Sequence, residues 1–266
     1  YILMKTIQVT LSIFFTAVHK EIVQQWRTKR FLAVLAVFLL FGLGSPIMSS
    51  LVPEIIKSEP GGEELAKLLP PPSATDGVAS YIEFLTTFGY FLAILLGMNA
   101  IAGEKETGTA SLILSKPMPR WVFVLSKFTA QALVYASSFL AGTLALYYCT
   151  SILFGAVDLF MLIQVNLLML LWMLIFCAVM LLASTIGRTV ATAAGIGLGL
   201  SILIGLTRNI PHFGKWSPSG LMNWALALLS NPGSTAANPG VLIASLALIL
   251  VFLIGSVVVF ERQEIQ

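Results

Sequence analysis

The sequence predicts an all-α, polytopic membrane protein with six transmembrane helices, an amphipathic N-terminal helix and a short cytosolic helix between the second and third spans. Three observations support this fold class. Hydrophobic residues make up 58% of the 266 residues and charged residues only 10%, whereas soluble proteins contain about 25% charged residues. The mean hydropathy is +0.93. Long uncharged runs alternate with short polar segments along the chain.

Residues 1–30 are predicted to form an amphipathic helix in the membrane interface. Its apolar residues recur at helical spacing, and basic residues suited to anionic lipid headgroups fall mostly on the other side. The apolar set is Leu11, Phe14, Phe15, Val18, Ile22 and Trp26, and the basic set is Lys20, Arg27, Lys29 and Arg30. A soluble amphipathic helix has the same pattern, but the position directly before a span favours the interface. We expect no secretory signal, and Met4 is a candidate start residue.

Six runs are each long enough to cross a hydrocarbon core of about 30 Å at about 1.5 Å per residue. They cover about residues 31–52, 82–102, 122–154, 159–186, 189–207 and 241–260. The third run is too long for an upright span, so it must tilt or extend beyond the membrane. We expect residues 53–80 to form an acidic outer loop with one short helix around 63–69. Residues 221–229 are predicted to be an interfacial or re-entrant helix anchored by Trp216 and Trp224.

The distribution of basic residues predicts the orientation. Six spans place both termini on one side of the membrane, and eleven Lys and Arg residues fall on that side against four on the other. Because positively charged loops stay in the cytosol, we expect both termini and residues 103–120 to be cytosolic.

The fifth predicted span carries small residues at four-residue spacing: Ala191, Gly195 and Gly199. Small residues on one face let another helix approach closely, so this stripe is a candidate contact with a second subunit. A GxxxG pattern is a weak signal, and packing within the chain is an equally open interpretation.

Residues 103–120, GEKETGTASLILSKPMPR, form a long polar interruption on the expected cytosolic side. Glu104 and Glu106 end the preceding apolar run, because a carboxylate at bilayer depth costs roughly 2.5 to 3.5 kcal/mol. Gly108 permits a turn, Thr109 is a candidate N-cap for a short helix of about residues 109–116, and Pro117 stops that helix. A solvated loop is the alternative, but a solvated loop has no reason to carry the apolar triplet Leu112, Ile113 and Leu114.

Several kinds of chemistry are missing from the sequence. It contains no GxxxxGK[ST] phosphate loop and no HExxH motif, and its two histidines, His19 and His212, are predicted near opposite surfaces. Cys149 and Cys177 lie in apolar runs and suggest no metal site or disulfide framework. Ionisable residues inside the spans are nearly lacking, whereas ion-coupled transporters usually need them. We therefore expect a protein that is not an enzyme and that is driven by another subunit.

Three features together resemble the permease subunits of ABC-2 type ABC transporters, particularly the bacterial six-span group. Residues 19–31, HKEIVQQWRTKRF, look like the basic elbow helix of that family. Residues 103–120 are similar to its signature between the second and third spans. The third feature is the short turn at Arg188, followed by a helix rich in small residues.

The resemblance implies a multi-pass subunit of the bacterial cytoplasmic membrane that pairs with a second permease subunit, expected to be the same chain, among membrane lipids. Two cytosolic ABC ATPase subunits would bind ATP and Mg, with no cofactor in this chain and no nucleic acid partner. The short helix would be the coupling helix that docks on the ATPase. The implied coupling residues are Glu104, Glu106, Gly108, Thr109, Leu112, Leu114, Pro117 and Arg120, with Glu104 and Glu106 pairing with basic groups of the ATPase or the elbow helix. The implied elbow residues are Lys20, Glu21, Trp26, Arg27 and Arg30.

The substrate is not specified by any motif. Polar residues within the spans are candidates for lining a pathway, although most such residues bond a neighbouring helix instead: Asn99, Gln131, Tyr135, Gln164 and Asn166. The low polarity of the spans favours an amphipathic substrate, and the resemblance favours export. The alternative function is a non-transporting scaffold or assembly factor that docks a cytosolic partner through the same short helix.

Overall fold

The computed structural model describes residues 2–68, 70–114, 118–207, 217–230 and 239–263. These residues form α-helices and no strand, which confirms the all-α prediction. The helices are α1 (Ile2–Arg27), α2 (Arg30–Ser58), α3 (Gly62–Leu68), α4 (Ala74–Gly97), α5 (Ala102–Glu106), α6 (Thr109–Leu114), α7 (Arg120–Phe154), α8 (Leu159–Ile186), α9 (Val190–Leu206), α10 (Ser219–Ser230) and α11 (Pro239–Arg262).

Within the described residues, five segments are long and apolar enough to cross a membrane: α2, α4 continued through α5, α7, α8 and α11. The fifth predicted span forms α9, which is apolar but has only 17 residues. At about 1.5 Å per residue, α9 is about 26 Å long, slightly less than a hydrocarbon core of about 30 Å. The chain is therefore a polytopic membrane protein.

Helix α8 forms the centre of the bundle. It packs against α4, α7, α9, α10 and α11 and buries residues on every side. A helix that is apolar all round has no face suited to water, so burial among other helices satisfies it. Helix α2 packs against α7 and α4 at one side of this core.

Two glycines allow the close contact between α2 and α7. A Cβ atom added to Gly42 would lie 2.4 Å from the carbonyl oxygen of Gly142. A Cβ added to Gly142 would in turn lie 3.1 Å from the carbonyl oxygen of Phe38. The backbones approach more closely than any larger residue permits, as in other helix pairs with small contact residues.

The outer segment is more helical than the predicted loop at residues 53–80. Helix α2 continues to Ser58, and α3 packs on its last turn, where Gly62 lies close to the carbonyl of Ile56. Helix α4 already begins at Ala74, because Ser73 and Asp76 form a capping box that satisfies backbone donors at its first turn.

Helix α10 lies at the predicted interfacial or re-entrant segment. It packs against α4 and α8 and buries Leu221, Ala225 and Leu228. Trp224 is partly buried against the same core, whereas Trp216 lies outside the described residues.

Candidate functional site

Residues 102–114 form two short helices, α5 and α6, joined by a tight turn. Gly108 has φ +71°, a left-handed conformation that favours glycine, and its N–H donates to the carbonyl of Lys105 at 3.1 Å. The Thr107 hydroxyl donates to the carbonyl of Gly103 at 2.9 Å and lies 2.9 Å from the Thr109 hydroxyl. Thr109 is the first residue of α6 and not its N-cap as predicted, and its hydroxyl contacts Thr107 in the turn that precedes the helix.

Helix α6 is held on one side and exposed on the other. Ile113 packs against a small apolar cluster formed by Ile101, Phe123, Val124, Leu181 and Phe260. Leu112 is 72% exposed. The side chain of Leu114 and all of Pro117 lie outside the described residues. The side of α6 that carries Leu112 therefore lies at the surface of this chain.

A buried ionic cluster joins α5 to α1 and α7. Lys127 is 3% exposed, and its Nζ lies 2.7 Å from Oε1 of Glu104 and 3.1 Å from Oε1 of Glu21. Lys20 Nζ lies 3.0 Å from Oε1 of Glu21 and 3.8 Å from Oε1 of Glu104. We call these four residues the ionic cluster. It contains two carboxylates and two ammonium groups, so the buried charges compensate one another.

The pKa of the Glu21 carboxyl reflects the charges of the ionic cluster. Burial alone raises the pKa of its carboxyl, but the Lys127 and Lys20 charges and their hydrogen bonds outweigh burial and hold the pKa below its ordinary value. Glu21 therefore stays ionised at neutral pH and anchors the elbow helix to α7.

Two cations that flank α6 cap the C-terminal ends of other helices. Lys105 Nζ donates to the carbonyl of Thr185, at the end of α8, and to Oε1 of Gln263 at 2.6 Å. Arg120 Nη1 donates to three carbonyls at the end of α11: Phe260 at 3.0 Å, Glu261 at 2.9 Å and Gln263 at 2.8 Å. Cations at helix C-termini satisfy carbonyls that have no partner within the helix.

Glu106 makes a third kind of contact. Its Oε2 accepts a hydrogen bond from the backbone N–H of Val190 at 2.9 Å, at the N-terminus of α9. A carboxylate at a helix N-terminus is stabilised by the orphan N–H groups and by the helix dipole. Glu104 and Glu106 thus point to different elements: Glu104 to the cluster that contains Lys20 of the elbow helix, and Glu106 to α9.

The remaining elbow residues lie at the surface of the bundle. Trp26 is exposed, and its ring stacks on Phe31 with centroids 5.3 Å apart. Arg27 ends α1 and is exposed, whereas Arg30 begins α2 and is half-buried. The contacts of α1 with α5 and α7, and of Arg120 with the end of α11, place both terminal helices beside α6 at one end of the bundle.

The small-residue stripe of α9 faces outward. Ala191, Gly195 and Gly199 are exposed, and a Cβ added to either glycine meets nothing within 4 Å among the described residues. Gly197 behaves differently, because a Cβ there would lie 2.1 Å from the Met180 sulfur. The packing of α9 inside this chain therefore uses the face of Gly197, and the predicted stripe is left at the surface.

The polar residues of the spans mostly lie inside the chain. Tyr135 and Asn166 are buried, and Asn166 accepts a hydrogen bond from the Tyr81 hydroxyl at 3.0 Å and donates to the carbonyl of Leu162 at 2.9 Å. Gln131 is buried and Asn99 half-buried, and both line a polar cavity of about 30 Å³ beside the ionic cluster. Gln164 is half-buried on α8. In this conformation Asn166 joins helices, as most polar residues in spans do.

The predictions from the sequence included no role for Lys127, Ser184 or Gln263. The available signal for Lys127 was a lone lysine in the third turn of an apolar helix, which needs a buried carboxylate partner. Gln263 and Ser184 act through contacts between residues about eighty positions or more apart in sequence, which no local pattern reveals.

Comparisons with known proteins identify the family of the chain. The chain matches the family described as ABC-2 family transporter protein over residues 15–265. It is 26% identical over 258 residues to the uncharacterized transmembrane protein YxlG of Bacillus subtilis (strain 168), covering 96% of this chain and 99% of YxlG. It is 29% identical over 164 residues to the Probable ABC transporter permease protein NosY of Stutzerimonas stutzeri, covering 57% of this chain and 58% of NosY. The protein of the same name from Pseudomonas aeruginosa is 28% identical over 132 residues, covering 50% of this chain and 43% of that protein. The matched part thus spans about half the length of the two NosY proteins.

Proposed function

This chain belongs to the ABC-2 family of transporter proteins and is a transmembrane permease subunit, and we propose that a separate cytosolic ABC ATPase drives it through residues 103–120. The single observation that supports this coupling is the way in which α6 is held in the bundle. The exposed Leu112 stands on a helix whose flanking residues are bonded to five other helices of the bundle.

The bonds around α6 are suited to transmitting a displacement of α6 to the spans. Glu104 ties α5 to α1 and α7, Lys105 ties it to the end of α8, and Glu106 ties it to the start of α9. Arg120, on the far side of α6, holds the end of α11. A push on α6 by an ATPase that closes on ATP and Mg would therefore move several spans together as packed units. ATP chemistry belongs to the partner in this proposal, and the permease contributes the docking helix and the pathway.

The second subunit in the proposal is another copy of this chain. The outward stripe of Ala191, Gly195 and Gly199 supports a close helix contact there, because the bundle itself leaves this face exposed. We propose the bacterial cytoplasmic membrane as the location, with α1, α6 and the end of α11 in the cytosol. These elements share one end of the bundle, and eleven of the fifteen Lys and Arg residues fall in the segments expected on that side. The proposed direction is export, which the family resemblance favours. The proposed substrate is amphipathic, because the spans are apolar.

Co-purification tests the coupling proposal. The chain is tagged in its native membrane, extracted gently, and its partners are identified and quantified. We expect an ABC ATPase in equal amount with the wild type and its loss with Leu112→Asp, because a charge replaces the apolar docking residue. Leu68→Asp is the matched control, since Leu68 is 82% exposed on α3 in the predicted outer segment. Recovery of a non-ATPase partner through Leu112 would favour the scaffold, and unchanged ATPase recovery with Leu112→Asp would contradict this docking site.

A further inference from the structure

The second predicted span is interrupted just before the coupling segment. Helix α4 ends at Gly97 and α5 begins at Ala102, so residues 98–101 leave the regular helical pattern. An interrupted helix frees backbone N–H and C=O groups, and in apolar surroundings these groups need partners from neighbouring elements. The residue before α5, Ile101, has no side-chain acceptor with which to cap it.

The hydroxyl of Ser184, on α8, supplies those partners. Its Oγ accepts hydrogen bonds from the N–H groups of Ile101 and Ala102, both at 2.9 Å, and donates to the carbonyl of Met98 at 3.0 Å. Ser184 is fully buried, so water does not compete for these bonds. One side chain of α8 thus serves as the N-cap of α5 and closes the break from both sides.

The backbones are shaped for this contact. A Cβ added to Gly97 would lie 2.5 Å from Cβ of Met180, so glycine at the end of α4 lets α8 approach the break. Two residues that follow Ser184 in sequence also bond to α5: the Thr185 carbonyl accepts a hydrogen bond from Lys105, and the Val190 N–H donates one to Glu106. The end of α8 and the start of α9 therefore hold residues 98–106 at three points.

We propose that Ser184 is a positioning residue for coupling, which fixes the break between α4 and α5 so that a displacement of α6 passes to α8 and α9. This inference rests on the proposed function, because it assumes that an ATPase displaces α6. Without the hydroxyl, α6 still presents Leu112 to the partner, and Lys105 and Glu106 still bond α5 to α8 and α9. Residues 98–101 lose their bonds to α8, however, so part of the displacement is absorbed there and a smaller movement reaches α9.

The first measurement tests the cap without any ATPase. Backbone amide hydrogen exchange is measured on the permease alone in lipid nanodiscs. Ser184→Ala should speed exchange at Ile101 and Ala102 by about tenfold, because both amides lose their acceptor. Thr185→Val is the matched control, since within the described part of the chain the Thr185 hydroxyl bonds to the Leu181 carbonyl of its own helix and to no other group. Ser184→Thr should restore protection. Unchanged exchange in Ser184→Ala would overturn the cap.

The second measurement separates positioning from a purely structural role. Leu203 lies on the exposed face of α9, and a nitroxide label is attached there through Leu203→Cys. The spectrum of the label is measured in the complex with the ATPase, with and without trapped nucleotide. With Ser184→Ala, the ATPase should still bind and hydrolyse ATP, but the nucleotide-dependent change at residue 203 should fall at least about twofold, and Ser184→Thr should recover it. A full response in Ser184→Ala would overturn the positioning role. Absence of any ATPase from the wild-type preparation would instead overturn the proposed function, and the coupling role with it, whatever the exchange result.

Discussion

Replacement of Lys127 by Met tests the ionic cluster most directly. Met keeps most of the side-chain volume, so the main change is the loss of a buried ammonium group. Glu104 and Glu21 then lose partners at 2.7 and 3.1 Å and share only Lys20, whose side chain is 47% exposed. Removing one partner of a buried ion pair costs about 3–5 kcal/mol, because the other charge stays buried and uncompensated.

The expected effect is a large fall in the melting temperature. For a chain of this size, about 1 kcal/mol corresponds to roughly 2–4 °C, so a loss of about 3 kcal/mol lowers Tm by roughly 6–12 °C. The assay is thermal unfolding in lipid nanodiscs, followed by intrinsic tryptophan fluorescence. Lys67→Met, on the exposed surface of α3, is the matched control and should leave Tm unchanged.

A second substitution distinguishes charge from packing. Adding Glu104→Gln to Lys127→Met removes one of the two uncompensated carboxylates, so the double variant should recover a substantial part of the lost stability. A fall of less than about 2 °C for Lys127→Met, or a double variant that is no more stable than Lys127→Met alone, would refute the reasoning.

The remaining predictions concern pH, the α9 stripe and the turn before α6. The pKa of the Glu21 carboxyl lies below its ordinary value, so its ionised form stabilises the fold above about pH 4.5. This contribution is lost as the pH falls through the lowered pKa. The difference in Tm between wild type and Glu21→Gln should therefore be constant near neutral pH and become smaller below about pH 4.5. Gly195→Leu should weaken self-association in chemical cross-linking without lowering Tm, whereas Gly197→Leu should lower Tm because its side chain meets Met180. Gly108→Ala forces a Cβ into a left-handed conformation and should cost about 1–2 kcal/mol in unfolding measurements and weaken ATPase recovery; unchanged recovery and Tm would show that the turn tolerates other conformations.

The short helix α5 contacts many elements through few side chains. Glu104, Lys105 and Glu106 are consecutive in sequence, yet they contact α7, α8 and α9 respectively. Such a divergent set of bonds explains why a five-residue helix is held in place although it buries little apolar surface. We therefore expect that loss of one contact, such as that of Glu106, leaves the other two to hold α5.

The sequence by itself determined the fold class and the family. Long uncharged runs and a low charged fraction require a membrane environment for physical reasons that do not depend on packing, because charges are costly at bilayer depth. The segment 103–120 carried the family resemblance in consecutive residues, and the family comparison confirms that assignment. Signals of this kind are local in sequence, so they are visible without a structure.

The way in which the segment is held depends on the tertiary structure. The bonds of Lys127 to Glu21, of Ser184 to Ile101 and of Arg120 to Phe260 join residues more than eighty positions apart, so no local pattern in the sequence specifies them. The outward direction of Gly195 and the inward direction of Gly197 were likewise set by where α8 lies, since both glycines belong to the same apolar run. A hydrophobic pattern specifies that helices pack together, but the steric fit between them decides which faces meet and which polar groups are left to bond across the gap.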